Sequence, residues 1–195
     1  VASLRLDGLG WKVAGALFVL DMTVESGDVA VVLAHRRAAA LLADVLLGLA
    51  PPENGAVRAG DRDVTGLPPG RRGIALVPAG GGLLPHLTVE RNVEYAGGDA
   101  SRWMRRLRLE GIGRFRPHEL SPVQRLQVAL ARALSTEPAA VVFEDRTGHV
   151  PCRTAVAEAR GHAAVLVITD SQARGVALGG ARLVSARPGE ASHAS

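Results

Sequence analysis

The chain has 195 residues, 47% of them hydrophobic, enough for one substantial core and a single α/β unit over residues 1–195. Its net charge of +4 arises from 23 basic residues, Lys12 the only lysine, spread among 19 acidic ones, which reads as a mixed solvated surface rather than a nucleic-acid footprint. The apolar runs Val29 to Ala34 and Ala38 to Ala50 fall short of the ~20 residues of a bilayer span, and the single cysteine, Cys152, with no charged-then-apolar leader before Leu4, leads us to expect a reducing, cytosolic location.

Short aliphatic and β-branched runs at Leu4–Leu6, Phe18–Val24 and Val29–Leu33 predict three strands, followed by a helix over Ala38–Leu49. From Pro51 to Gly73 the density of Pro, Gly, Asp and Asn rises, which predicts turns and an antiparallel β subdomain. A strand at Ile74–Val77 comes next, then a short arginine-rich helix within SRWMRRLRLEG, a helix over Gln124–Leu134, and strands at Ala140–Phe143 and Val165–Ile168. Several strands are apolar throughout instead of alternating, the pattern of a largely parallel sheet covered on both faces by helices. The polar tail after Pro188 is expected to fray.

Residues Pro117 to Asp145, PHELSPVQRLQVALARALSTEPAAVVFED, resemble the stretch of an ATP-binding cassette (ABC) ATPase from its signature motif to its Walker B strand. The resemblance runs from Leu4 to Gly189 and points toward importer-type cassettes such as those for molybdate, ferric iron or polyamines. It implies a P-loop NTPase-like α/β fold with a mostly parallel sheet, an antiparallel β subdomain and, over residues 97–135, an abbreviated helical and signature subdomain.

Several positions depart from the family pattern. The family's phosphate loop has the form G-x-x-x-x-G-K-[ST], whose glycines let backbone N–H groups wrap the phosphates while the lysine adds a point charge. Here Leu33 to Gly48 reads LAHRRAAALLADVLLG. Anchored on Gly48, the positions of Lys, Ser/Thr and the next Thr are Ala39, Ala40 and Leu41. Arg36 and Arg37, just before Ala38, offer cations of a different shape.

In Val77 to Asn92, VPAGGGLLPHLTVERN, Ala79 stands at the glutamine of the family's Q-loop, whereas Leu83, Pro85, His86, Leu87, Thr88, Val89 and Asn92 match the flanking pattern. In related transporters this region receives the coupling helix of the membrane subunit, so the resemblance implies a retained docking surface; Leu83, Leu87 and Val89 read equally well as core. Gly80 to Gly82 precede no helix start and are expected to form a flexible loop. The signature-like Leu120-Ser121-Pro122-Val123-Gln124 keeps Ser121 and Gln124 but replaces both glycines. Pro122 has no N–H to offer a phosphate.

After Ala140–Phe143 come Glu144 and Asp145, the family's Asp-Glu in inverted order, so a metal, if any, would fall to Glu144. Arg146 replaces the next proline, and no D-loop pattern appears before Cys152. Thr169 and Asp170 occupy the positions of the switch histidine and its neighbour. The adenine-stacking aromatic maps onto Val13, with Trp11 nearby and better suited to packing.

The pattern implies an ABC-type subunit acting as a pseudo-ATPase with a structural or regulatory role. No cofactor is expected, and its partners would be a transmembrane subunit, a competent ATPase subunit, or a second copy in a homo- or heterodimer, held at the inner face of the plasma membrane. An alternative keeps a weak Mg-ATP site built from Arg36 or Arg37 with Glu144. A third, nucleic-acid binding through Arg102, Arg105, Arg106 and Arg108 with Trp103 for stacking, is outweighed by a solvated basic face.

Overall fold

The computed structural model describes residues 3–145, 153–173, 182–189 and 191–193. Strands β1 (Ser3–Val13) and β2 (Ala16–Glu25) form a hairpin closed by Ala14 and Gly15, both at positive φ (50° and 87°), the turn that matches strand twist. β4 (Asn54–Ala59) pairs with the other edge of β1, and β5 (Arg62–Asp63) with β4. The antiparallel unit expected over Pro51 to Gly73 is therefore the outer part of a larger sheet that begins at Ser3. β2 shows why: Phe18, Leu20, Met22 and Val24 point inward while alternate residues do not, the signature of a sheet buried on one face.

The second sheet is wholly parallel. It contains β3 (Val29–Leu33), β6 (Ile74–Val77), β7 (Ala140–Asp145), β8 (Ala164–Thr169) and β9 (Arg182–Ser185), in the order β6-β7-β8-β3-β9. Each of its central strands feeds two cores. Ala30, Val32, Val142, Leu166 and Ile168 pack toward α1 (Arg36–Leu47) and the antiparallel sheet. Val31, Val141, Phe143, Val165 and Val167 pack toward α3 (Ala100–Arg106), α4 (Pro122–Leu134) and α5 (Arg153–Arg160). That double burial is the reason these strands are apolar at every position.

Helix α1 starts two residues before the expected Ala38 and ends at Leu47, where Gly48 (φ 81°) takes the left-handed cap. Arg72, only 4% exposed, caps the same end: its guanidinium donates to Val45 O (2.8 Å), Leu46 O (3.2 Å), Leu67 O (2.7 Å) and Thr65 O (2.5 Å). Burial lowers its pKa, and the carbonyl ring at the negative end of the helix dipole offsets that penalty. The tail does not fray throughout: β10 (Ala191–His193) adds in parallel to β2, because that edge carries unpaired backbone groups. Among the described residues no helix is long and apolar enough to cross a membrane.

Candidate functional site

The register Leu33–Thr169 and Asp145–Thr169 brings the C-terminal ends of β3, β7 and β8 to one edge, the place where open α/β sheets bind ligands. Only Ala34 and His35 separate β3 from α1. Ala34 N–H donates to Thr169 O (3.0 Å), so the turn after β3 is bonded to the strand beside it. His35 caps α1: its Nδ1 accepts from Ala38 N–H at 3.4 Å, and its ring meets Phe18 edge-on at 5.3 Å. Phe18 stacks on Trp11, whose Nε1–H donates to Ala38 O (3.0 Å). Trp11 is 1% exposed and so belongs to the core, not to a base-stacking surface.

The expected site residues fall around this edge as follows. Ala38 and Ala39 are buried in the core between the sheets, Ala40 and Leu41 are half-buried, and Arg36 and Arg37 are exposed. No acidic residue lies in the first turn of α1. Thr169 is fully buried, and its Oγ1 accepts from Ser171 N–H at 3.2 Å. Glu144 and Asp145 are half-buried at the end of β7, and both are already engaged within the protein. Among the described residues no group of three or more His, Cys, Asp or Glu is placed to hold a metal. Arg146 and Cys152 lie outside the described residues.

Ser121 and Gln124 are occupied with each other. Ser121 caps α4, accepting from Gln124 N–H at 3.2 Å, while Gln124 Oε1 accepts from Ser121 N–H at 2.8 Å. This capping box, with Pro122 at the first helical position, satisfies the helix end locally and leaves Val123 53% exposed.

A second region is tightly built. Ala79 lies in a turn closed by Gly81 N–H to Pro78 O (2.9 Å). Where the sequence suggested a flexible loop, two of the glycines beside it carry defined contacts. Arg132 of α4 donates to Gly82 O (3.1 Å) and Gly81 O (3.3 Å), and a Cβ on Gly81 would stand 2.9 Å from Arg125 O. Burial in that contact lowers the pKa of Arg132.

Asn92 of α2 (Val89–Glu94) is fully buried; its Oδ1 accepts from Leu84 N–H (2.8 Å) and its Nδ2 donates to Leu84 O (3.1 Å), Leu87 O (3.2 Å) and Thr88 O (3.0 Å). Val89 is core, while Leu83 is half-buried against the same cluster. Beside α2 runs a groove of about 490 Å³ lined by Glu90, Glu94, Met104, Arg105, Arg114 and Phe115. The capping role of His35 and the clamps of Arg132 and Asn92 went unread in the sequence, because their partners are backbone groups that no side-chain pattern announces. In α3, Trp103 is 2% exposed, and Arg102 and Arg106 are ion-paired to Glu137 and Glu158. The indole is thus buried away from any base that would stack on it.

In architecture the molecule is a P-loop NTPase-like α/β cassette. The family model for ABC transporters matches residues 40–147, more than half of the chain, so the chain belongs to the ABC transporter family. It is 36% identical over 120 residues to the molybdate/tungstate import ATP-binding protein WtpC of Archaeoglobus fulgidus, covering 57% of this chain and 50% of that protein. It is 35% identical over 115 residues to the spermidine/putrescine import ATP-binding protein PotA of Thermobifida fusca, covering 53% and 30%. The chain thus spans half or less of the length of these two relatives. A solved structure of cbiO1 from Clostridium perfringens, part of the ABC transporter complex cbiONQ, superposes with a TM-score of 0.75 at 17% identity, covering 94% of this chain and 84% of that one.

Proposed function

We propose that this chain is a non-catalytic ATP-binding-type subunit of an import-class ABC transporter, with a structural or regulatory role beside a transmembrane subunit or a competent ATPase. The observation that carries the reading is the two-residue turn into α1. His35 takes the N–H of Ala38, and Ala39, at the position matching the phosphate-binding lysine, is a methyl 1% exposed in the core. These residues do not fit a magnesium nucleotide: no glycine turn wraps phosphate, no hydroxyl follows the lysine position, and Ser121 and Gln124 are spent on capping. Loss of one preorganised donor raises a barrier of this kind by about 2.7–4 kcal/mol. Groups that act as a unit fail together, so these losses are not summed.

The names of the relatives, import ATP-binding proteins, support the import class. The Asn92-braced segment and the groove beside α2 support a docking face for that partner, through which the subunit would sit at the inner face of the membrane. A second reading rests on Arg36 and Arg37. Both are exposed at the positive end of α1 with no acidic neighbour in its first turn, a setting that attracts an anion.

Calorimetric titration of the purified chain with Mg-ATP separates the two. No binding heat and no thermal shift at millimolar nucleotide is the expected result. Magnesium-dependent binding that disappears in the Arg36→Ala, Arg37→Ala double variant would overturn it in favour of the second reading.

A further inference from the structure

Helices α2, α3 and α4 form one continuous insertion between β6 and β7, so this helical layer joins the parallel sheet through two links, residues 78–88 on the way out and residues 135–139 on the way back. A layer that swings about its sheet needs a few residues in such links free to change φ and ψ. Here both links are tied down.

On the way out, Arg132 of α4 holds the carbonyls of Gly81 and Gly82, and Gly81 lies against the α4 backbone at Arg125 with no room for a side chain. The far end of that link is held to α2 by the Asn92 side chain, which bonds Leu84, Leu87 and Thr88. On the way back, Ser135 is 1% exposed, and its Oγ–H lies between Gly97 O (3.0 Å) and Arg132 O (2.8 Å). The Ser135 carbonyl accepts from Asp99 N–H at 3.2 Å and sits so close to Gly98 that a Cβ there would collide with it. Pro138 fixes its own φ. Ala139 N–H donates to Gly73 O (2.8 Å), which ties the returning link to the start of β6, the strand from which the outgoing link departs. Between the links, Val128 and Leu130 of α4 share one apolar cluster with Val141 and Phe143 of β7.

We infer that the helical layer is locked to the parallel sheet, with Arg132 and Ser135 as the residues that position it, so that a partner seated beside α2 is held at a fixed angle to the sheet. This use of the lock rests on the docking face proposed above. It makes the subunit a rigid spacer and assigns it the structural role rather than the regulatory one.

The lock is read without nucleotide or partner. Spin labels on Ser26→Cys, in the turn before β3, and on Ser101→Cys, in α3, both exposed, report the distance between the layers by pulsed electron–electron double resonance in a Cys152→Ser background. The full chain is expected to give one narrow distance distribution. Arg132→Ala with Ser135→Ala, which removes one tie from each link, is expected to widen it about twofold. Arg132→Lys keeps the charge but loses the fork that reaches two carbonyls, so it is expected to widen the distribution less, and it keeps the test decisive where the double variant does not fold. Two distances or a broad distribution in the chain without these changes overturns the proposal, and so do folded variants as narrow as that chain. A swinging layer in a chain that gives no binding heat with Mg-ATP removes the lock and leaves the non-catalytic reading standing, so the two failures are told apart.

Discussion

The turn into α1 and the Asn92 segment follow two strands of one parallel sheet, β3 and β6, and have different designs. The first is the turn to which the family resemblance assigns phosphate-loop chemistry, and it holds methyl groups, a histidine cap with a long bond and an aromatic stack. The second carries no chemistry of its own, yet both polar atoms of the Asn92 side chain are bonded and Arg132 grips two glycine carbonyls. The contrast shows that a scaffold and a reaction centre are stabilised by different terms. Apolar substitution at the edge that would face phosphate leaves the cores intact, whereas loss of one amide at Asn92 would strand several buried groups at once.

The sharpest way to break this comparison is to put a lysine where the resemblance places one. Ala39→Lys places an ammonium without a partner in the core and should cost about 3–5 kcal/mol in a urea titration, with no Mg-ATP binding gained. A stable, nucleotide-binding variant would show that the edge is poised for catalysis after all. Next in size, Asn92→Ala should cost about 3 kcal/mol, since the backbone groups of Leu84 and the carbonyl of Leu87 lose their partner. A loss below about 1 kcal/mol would mean that water replaces the amide and that the segment is not braced. Smallest are the caps. Ser121→Ala should cost about 1 kcal/mol and His35→Ala about 0.5 kcal/mol, the latter less because its bond is long, and equal losses would erase the distinction drawn between a strong and a weak helix start.

Much of the scaffold was legible in the sequence, for a physical reason. β3, β6, β7 and β8 are covered on both faces, so their apolar runs mark the strands within about two residues, and the amphipathic stripe of α4 marks its C-terminal end, while its start at Pro122 lies two residues before the expected Gln124. β1 was seen only as Leu4–Leu6, since Gly8 at positive φ and the register shift between Leu6 and Leu9 interrupt its pattern. α5 buries only Ala155, Val156 and Ala159 and looks polar along its length, and β9 and β10 are too short to signal. At the candidate site the residue types could be read off one by one, and the resemblance alone supplied the family position with which each was compared. What could not be read was how the edge is closed, because His35 acts there through a local main-chain group and Trp11 and the Thr169 carbonyl through main-chain groups distant in sequence.

The buried guanidinium of Arg72 has a consequence for how the molecule opens. It ties the Pro- and Gly-rich stretch around Thr65 and Leu67 to the last turn of α1, and Gly48 has no side chain because that guanidinium occupies its place. The stretch cannot peel away without uncapping a helix that both sheets share. Amide protons in that helical turn and in the stretch bound to it therefore exchange in one cooperative opening, so the most turn-rich segment of the chain is kinetically part of its interior.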